Sequence, residues 1–404
     1  MALFRRKAEP DPKEAFLRDV EAGCREILGA TDVRRVGDTG FEVVTPGGGQ
    51  PAVLDVGNVW LEVRDRTPEE QRAVLATFLQ RLTRRSGPEP SWDEVAPQLR
   101  PVVRGIGWAT GQPADSAPPR RPVVPFVSGL LAIDEGAAMR FAGPATVASW
   151  PVDLDAAWQR AIDNLTADGL PGGEVEGPLE GCVLIMGPDS YQSSWLAAHA
   201  WLAERADKLP TDPVLLAPCR DQALLVSIHD HRALLAAIEW ADTAHREEAR
   251  PLSPAPYLLT ADGFVPWHPA THHPARVAVE NAHRMLALTE YHDQTTHVQD
   301  LLDKAGEDVY VASLEGMRVG DGSITTWTVW PPDVTDGLLP EADVVGMFAD
   351  EARRMVRWAD VVRLAPEAIV REPGWEPARW RIRGRPDPEV VAQLHDLVME
   401  PGED

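Results

Sequence analysis

The chain has 404 residues, of which 44% are hydrophobic and 25% charged, and its formal net charge is −24. This length exceeds one ordinary core and predicts two or three domains. The acidity argues against nucleic acid and anionic membranes as partners, because both attract clustered lysine and arginine. The sequence has no apolar run long enough for a membrane span and no secretory signal at its N-terminus.

The cysteines indicate a reducing compartment. Cys24, Cys182 and Cys219 are few, odd in number and far apart, without a CxxC motif. Such usage is typical of reduced thiols in a cytoplasmic protein. We expect no cofactor.

The first predicted module, residues 1–86, has the order α-β-β-α. Its second helix starts at Thr67-Pro68-Glu69-Glu70, where Thr67 is the N-cap and Glu70 completes a capping box. The other expected elements are an amphipathic helix at 11–28 and strands at 41–45 and 52–63, joined by a Gly47–Gly49 turn.

A proline-rich linker at 87–122 with a short extended arm at 99–104 precedes a central α+β domain at 123–268. The densest element pattern in the chain lies within it. There we expect strands at 123–128, 130–134 and 139–141, a helix ending at Asn164-Leu165, a strand at 181–187, a helix at 190–205, two strands, a helix at 232–248 and a hairpin at 257–267.

The remaining residues, 269–404, are predicted to form a C-terminal α+β extension. Its elements are a helix at 276–304 with a break near 289–296, a strand pair at 309–314 and 324–330, strands at 344–348 and 359–364, and a final helix at 389–399. The fold class is therefore α+β, with several mixed modules and mainly antiparallel sheets.

Histidines suggest a metal site only weakly. His229-Asp230-His231 would present two rings on one face of a strand. However, Asp230 is well placed as the N-cap of the next helix, so the pair straddles a strand end. We predict no metal site and keep His229 and His231 as weak candidates.

Three other polar residues are candidates for binding. Arg220 and Asp221 lie between two predicted strands, where they could pair, cap a turn or form a recognition point. Asn164 ends a predicted helix and could satisfy its last carbonyls. A structural role is favoured for each. The tryptophans of the C-terminal part could line a ligand groove or, as we prefer, border a core.

Several short motifs resemble the YtpQ-like family of uncharacterised bacterial proteins, a domain of unknown function. They are Pro101-Val-Val-Arg104, Pro122-Val-Val-Pro125, Ala161-Ile-Asp-Asn164-Leu165, Pro188-Asp-Ser-Tyr191 and Pro218-Cys-Arg220-Asp221. The resemblance covers roughly residues 10–268. It implies an α+β cytoplasmic protein without established activity or cofactor, in which Asn164, Arg220 and Asp221 match the family pattern.

Two functions from different classes follow. The first is a non-catalytic protein-binding or regulatory module with another protein as partner, favoured because no catalytic motif occurs and because the acidity suits basic partners. The alternative is a metal- or acid/base-dependent hydrolase that uses the histidine-rich central region between His229 and His273, including His231, together with Arg220 and Asp221. That hypothesis requires these side chains to converge in one pocket.

Overall fold

The computed structural model describes residues 11–36, 39–46, 52–83, 91–109, 117–135, 139–187, 191–248, 250–349 and 352–397. The fold is α+β, with several mostly antiparallel sheets, as predicted. Among the described residues, no helix has the length and apolarity needed to cross a membrane. The predicted Gly47–Gly49 turn lies outside them.

The α-helices are α1 (Pro12–Ile27), α2 (Gly57–Val63), α3 (Pro68–Thr83), α4 (Trp92–Val95), α5 (Pro144–Ala148), α6 (Leu154–Thr166), α7 (His199–Ala203), α8 (His231–Glu247), α9 (Arg276–Ala305), α10 (Trp358–Leu364) and α11 (Pro388–Asp396). The strands are β1 (Asp32–Val36), β2 (Gly40–Val44), β3 (Ala52–Asp55), β4 (Leu99–Gly105), β5 (Arg121–Val124), β6 (Val127–Asp134), β7 (Met139–Phe141), β8 (Gly172–Glu174), β9 (Cys182–Ile185), β10 (Pro213–Cys219), β11 (Gln222–Ser227), β12 (Pro251–Thr260), β13 (Gly263–Pro266), β14 (Tyr310–Val311), β15 (Glu315–Arg318), β16 (Ile324–Trp330), β17 (Gly337–Pro340), β18 (Val344–Ala349), β19 (Ala352–Arg357), β20 (Ile369–Glu372) and β21 (Arg379–Ile382).

The chain forms two compact units, the first mainly from residues up to Ser91 and the second mainly from Trp92 onward. In the first, α1 and α3 pack against the antiparallel sheet β1-β2-β3. The predicted capping box is present, because Glu70 Oε2 accepts the Thr67 N–H at 2.9 Å. The predicted strand at 52–63 is wrong beyond Asp55: Val56, Val59 and Val63 recur at helical spacing, and α2 buries them.

In the second unit, a six-stranded antiparallel sheet runs in the order β13-β12-β10-β11-β9-β8. Its central strand β10 is buried on both faces. Leu215 and Ala217 face one hydrophobic core, whereas Val214 and Leu216 face a second core shared with α8. This explains why the strand is a continuous apolar run.

The smaller sheet β4-β6-β5, with β7 also paired to β6, lies in the same unit. The predicted strand at 123–128 is interrupted by a turn at Pro125-Phe126, which joins β5 to β6. The predicted helix at 190–205 is also wrong. A 3₁₀ segment over Gln192–Ala197 precedes the short α7, and the Ser193 N–H donates to the Arg220 carbonyl (3.3 Å) instead of within a helix.

The predicted break near 289–296 does not occur, and α9 runs unbroken for 30 residues. Its threonines are accommodated because their hydroxyls donate to carbonyls one turn earlier, Thr289 to Met285 at 3.1 Å and Thr295 to Tyr291 at 2.6 Å.

Two sheets, β14-β17-β21-β20 and β15-β16-β18-β19, complete the fold. Two predictions fail there. The partner of β16 is β15 rather than residues 309–314, because a tight turn joins Arg318 to Ile324. Residues 359–364 belong to α10, not to a strand, because Trp358, Val361 and Ala365 face one core at helical spacing.

A buried arginine joins α9 to the β14-β17-β21-β20 sheet. Arg379 is 0% exposed. Its guanidinium donates to Gln294 Oε1 (2.7 Å), Thr295 Oγ1 (2.6 Å) and the carbonyls of Ala312 (2.7 Å) and Leu338 (3.3 Å). Four acceptors on three segments thus fix the sheet against the helix.

Candidate functional site

Asn164 has a structural position. Its Nδ2 donates to the carbonyls of Ala96 (2.7 Å) and Leu99 (3.0 Å), which connects α6 to the start of β4. Because β4 is an edge strand, the Leu99 carbonyl needs a partner from outside the sheet. The Arg100 guanidinium donates to the same carbonyl at 2.9 Å.

Arg220 and Asp221 form the turn between β10 and β11 and pair with each other at 3.4 Å. The Tyr191 hydroxyl donates to Asp134 Oδ2 at 2.9 Å. The positive charges of Arg220 and Arg100 both interact electrostatically with this hydroxyl. Burial and this hydrogen bond raise the pKa of Tyr191 well above its usual range, and the two arginines oppose the shift. Asn164 and Arg220 therefore both lie in the neighbourhood of Arg100.

The two histidine candidates lie apart from this group. His229 Nε2 is 2.8 Å from Asp212 Oδ2, and both side chains are exposed. His231 begins α8, with Asp230 as its predicted N-cap, and its ring packs edge-on against His273 at 4.6 Å. Strand β11 separates His229 from the Arg220-Asp221 turn, a distance of about 20 Å.

Of the histidines proposed for a hydrolase, His231 and His273 are thus in contact, but His229 and the Arg220-Asp221 turn do not converge with them in one pocket. Within the described part of the chain, no group of three or more histidine, cysteine, aspartate or glutamate side chains could hold a metal ion.

A cavity of about 530 Å³ lies in the second unit. This volume is in the range of ligand pockets in proteins. The hairpin of β5 and β6, the middle of α9 and the hairpin of β20 and β21 supply most of the lining, and Ile106 and Glu341 supply the rest. The lining residues are Ile106, Pro122, Val123, Val124, Pro125, Phe126, Val127, Ser128, Tyr291, Glu341, Arg371, Glu376, Pro377 and Ala378.

Phe126 has an unusual backbone at this wall. It adopts a left-handed conformation, with φ of 65°, at the second position of the β5–β6 turn, after Pro125. A glycine is the usual residue there, because a side chain costs about 1 kcal/mol or more in this conformation. The Phe126 carbonyl accepts the Ile106 N–H at 3.0 Å, and its ring lies 6.3 Å from that of Tyr291.

Helix α9 supplies the opposite wall. The Tyr291 hydroxyl donates to the Ala378 carbonyl (2.6 Å) and accepts the Glu341 N–H (3.3 Å), and burial raises the pKa of Tyr291 to about 12. The Gln294 amide donates to the Pro377 carbonyl at 2.6 Å. The aromatic wall is therefore held rigidly by hydrogen bonds.

Charges of both signs surround the opening. Glu341, Arg371 and Glu376 are exposed. Within the described residues, none of these three side chains has a hydrogen bond or an ion pair. The cavity thus combines an apolar interior with unpaired charges at its rim, a combination typical of binding sites.

The chain matches no protein-family model, no curated protein and no solved structure. The resemblance to the YtpQ-like family therefore stays a prediction, and so do the binding roles of Asn164, Arg220 and Asp221.

A buried carboxylate lies next to the cavity residues. Glu290, adjacent to Tyr291 in α9, is 7% exposed and accepts the Gly107 N–H at 2.9 Å. A Cβ atom at Gly105 would lie only 2.5 Å from Glu290 Oε1, so any side chain there would force the Glu290 carboxylate to move. Burial raises the pKa of Glu290 to about 7, although the hydrogen bond from Gly107 acts to lower it.

The sequence did not predict this site, for identifiable reasons. Pro125 within an apolar run was a turn signal, and it demotes such a run from a continuous strand. The threonines of α9 hid the continuity of the helix. The C-terminal tryptophans offered a competing prediction of a ligand groove. In the structure Trp330, Trp358 and Trp380 pack on a hydrophobic core, and none of these three lines the cavity.

Proposed function

We propose that this protein is a non-catalytic binding or regulatory module whose partner is another protein, and that the cavity beside Phe126 is its binding site. The observation that carries the proposal is the left-handed backbone of Phe126. Strained residues of this kind concentrate at ligand clamps and active sites, where the surrounding structure holds them in place.

The surroundings of Phe126 support a binding role. The ring is only partly buried against the core, so packing alone does not account for an aromatic residue at a glycine position. Aromatic side chains contribute disproportionately to protein interfaces, since they offer a large apolar area with little rotamer entropy. The side chains at the rim leave their charges available to a partner.

The cytoplasm is the compartment we propose. Cys24, Cys182 and Cys219 are buried, and none of the three forms a disulfide bond; burial raises the pKa of Cys24 and Cys182 to about 11. Such thiols are inert and behave as small apolar side chains, which suits a reducing environment.

The test compares the wild type with Ala378→Trp, which fills the cavity, by affinity capture from extracts of the source cells. Ala167→Trp, at an exposed position at the end of α6, is the matched control. We expect a partner that is retained by the wild type and the control but lost by the cavity variant, with all three proteins showing the same melting temperature.

If all three proteins retain the partner equally, the cavity is not the binding site. If no stable partner is captured and a defined turnover is found instead, the proposal of a non-catalytic module fails.

A further inference from the structure

The rim charges restrict what can occupy the cavity. The lining residues include two carboxylates, Glu341 and Glu376, and one guanidinium, Arg371. The chain as a whole carries a charge of −24, which attracts cations toward any exposed site. Both the local and the global charge therefore favour a basic occupant over a phosphate or another anion.

The walls favour an extended main chain as the occupant. Both β5 and β20, which supply cavity residues, are terminal strands of their sheets among the described residues. Edge strands carry unpaired backbone donors and acceptors, to which an extended peptide can add.

From these observations we infer that the cavity binds an extended, basic segment of the partner protein. A lysine or arginine side chain pairs with Glu341 and Glu376, and a neighbouring apolar side chain packs on Phe126 and Tyr291. Arg371 donates to an acceptor of the segment, which fixes its direction. This inference rests on the proposed binding function of the cavity.

The experiment uses the full chain and synthetic peptides of about ten residues, a length that spans about 34 Å when extended. Three series share an apolar sequence and differ only in whether one central position is lysine, glutamine or glutamate. Binding is measured by fluorescence anisotropy. We expect the lysine series to bind roughly three- to tenfold more tightly than the glutamine series, and the glutamate series to bind least.

The variant E341Q/E376Q should bind the lysine and glutamine series equally. The matched control, E174Q/E176Q, removes the same charge at exposed positions in and after β8 and should keep the lysine preference. Persistence of that preference in E341Q/E376Q overturns the inference, because the attraction is then due to net charge alone.

The remaining outcomes separate the two proposals. If no series binds while the captured partner still requires an open cavity, the inference of a basic segment is wrong and the binding function stands. If the lysine series binds Ala378→Trp as tightly as the wild type, the cavity is not the site and both proposals fall.

Discussion

Two buried ionisable side chains lie at helix α9, and they differ in the number of hydrogen bonds that compensate their burial. Arg379, packed against the C-terminal half of the helix, donates to four neutral acceptors, and burial lowers its pKa only to about 10. Glu290, in its middle, accepts one hydrogen bond among the described residues, and burial raises its pKa to about 7. The guanidinium is therefore charged at every physiological pH, whereas the carboxylate titrates near neutrality.

The comparison shows that burial alone does not decide the state of a charge. The buried guanidinium of Arg379 loses its hydrogen bonds to water, but it forms hydrogen bonds with four protein oxygen atoms instead. Its high intrinsic pKa keeps it protonated. A carboxylate with one donor is not compensated to the same degree and binds a proton instead. The hydrogen bonds of Arg379 therefore persist at every physiological pH, whereas the charge on Glu290 depends on pH.

The largest expected effect is that of Arg379→Met. Methionine fills the volume but leaves Gln294 and two carbonyls without their donor, so we expect a loss of roughly 3–5 kcal/mol in the free energy of unfolding. Urea denaturation followed by tryptophan fluorescence measures it.

The control is Arg363→Met, at an exposed arginine paired with Asp360, which should cost less than about 1 kcal/mol. If the two variants lose the same stability, the four hydrogen bonds of Arg379 have no special role.

The next effect concerns pH. Because the folded pKa of Glu290 lies above its ordinary value of 4.5, the folded state binds the extra proton, and its contribution to stability falls as pH rises from 4.5 to 7. The slope is at most about 1.4 kcal/mol per pH unit. Glu290→Gln lacks this falling contribution, so the stability of the variant relative to the wild type should increase as pH rises from 4.5 to 7, and the variant should be the more stable protein at pH 8. Urea midpoints of both proteins across the pH range test this, and a stability difference that does not change with pH would sink the assignment.

Gly105→Ala tests the close contact between the backbone at Gly105 and the Glu290 carboxylate. The new methyl group would collide with Glu290 Oε1, and we expect a cost of roughly 1–3 kcal/mol. Shortening the acid in a Gly105→Ala/Glu290→Ala double variant should remove most of this additional cost, which a double-mutant cycle measures. Gly107→Ala, where the nearest Glu290 atom would be 3.3 Å away, should cost less. Additive effects of the two substitutions would contradict a direct contact.

The smallest expected effect is the pH dependence of the wild type itself, because His283, two helical turns before Glu290, opposes the contribution of Glu290. Burial lowers its pKa to about 4, so its contribution to stability grows as pH rises from 4 to 6.5. This opposes the Glu290 slope between pH 4.5 and 6.5, and the wild-type profile should be nearly flat there. In His283→Asn the free energy of unfolding should fall as pH rises, because only Glu290 then contributes. In Glu290→Gln it should rise with pH, because only His283 contributes. Unchanged flat profiles in both variants would show that neither group titrates as described.

Local signals in the sequence predicted much of the fold. The Thr67 capping box, the buried run of β10 and the Asp230 cap of α8 each depend on neighbouring residues, and each is present. The predictions failed where a distant contact decides the structure. The 3₁₀ segment at Gln192 depends on the Arg220 carbonyl, and the burial of Glu290 depends on glycines more than 180 residues earlier.

The candidate site was less predictable than the fold for the same reason. Its lining comes from five segments that are widely separated in the chain, at 106, 122–128, 291, 341 and 371–378. Of these, only Pro122-Val-Val-Pro125 belongs to a motif noted in the sequence, and that motif does not indicate a cavity. Phe126 itself gives no sequence signal, because only the backbone angle shows that it replaces a glycine.

The length of α9 has a consequence for how this chain can change over time. The helix is about 45 Å long. Its first half contributes Val279 and Leu286 to the two cores of the six-stranded sheet, and its second half contributes Val298 and Leu302 to a core of the C-terminal part. Removing everything after Trp267 would strip both central cores of side chains. The C-terminal third is therefore not a detachable module, and we expect a chain that ends after Trp267 to lose the stability of the six-stranded sheet as well.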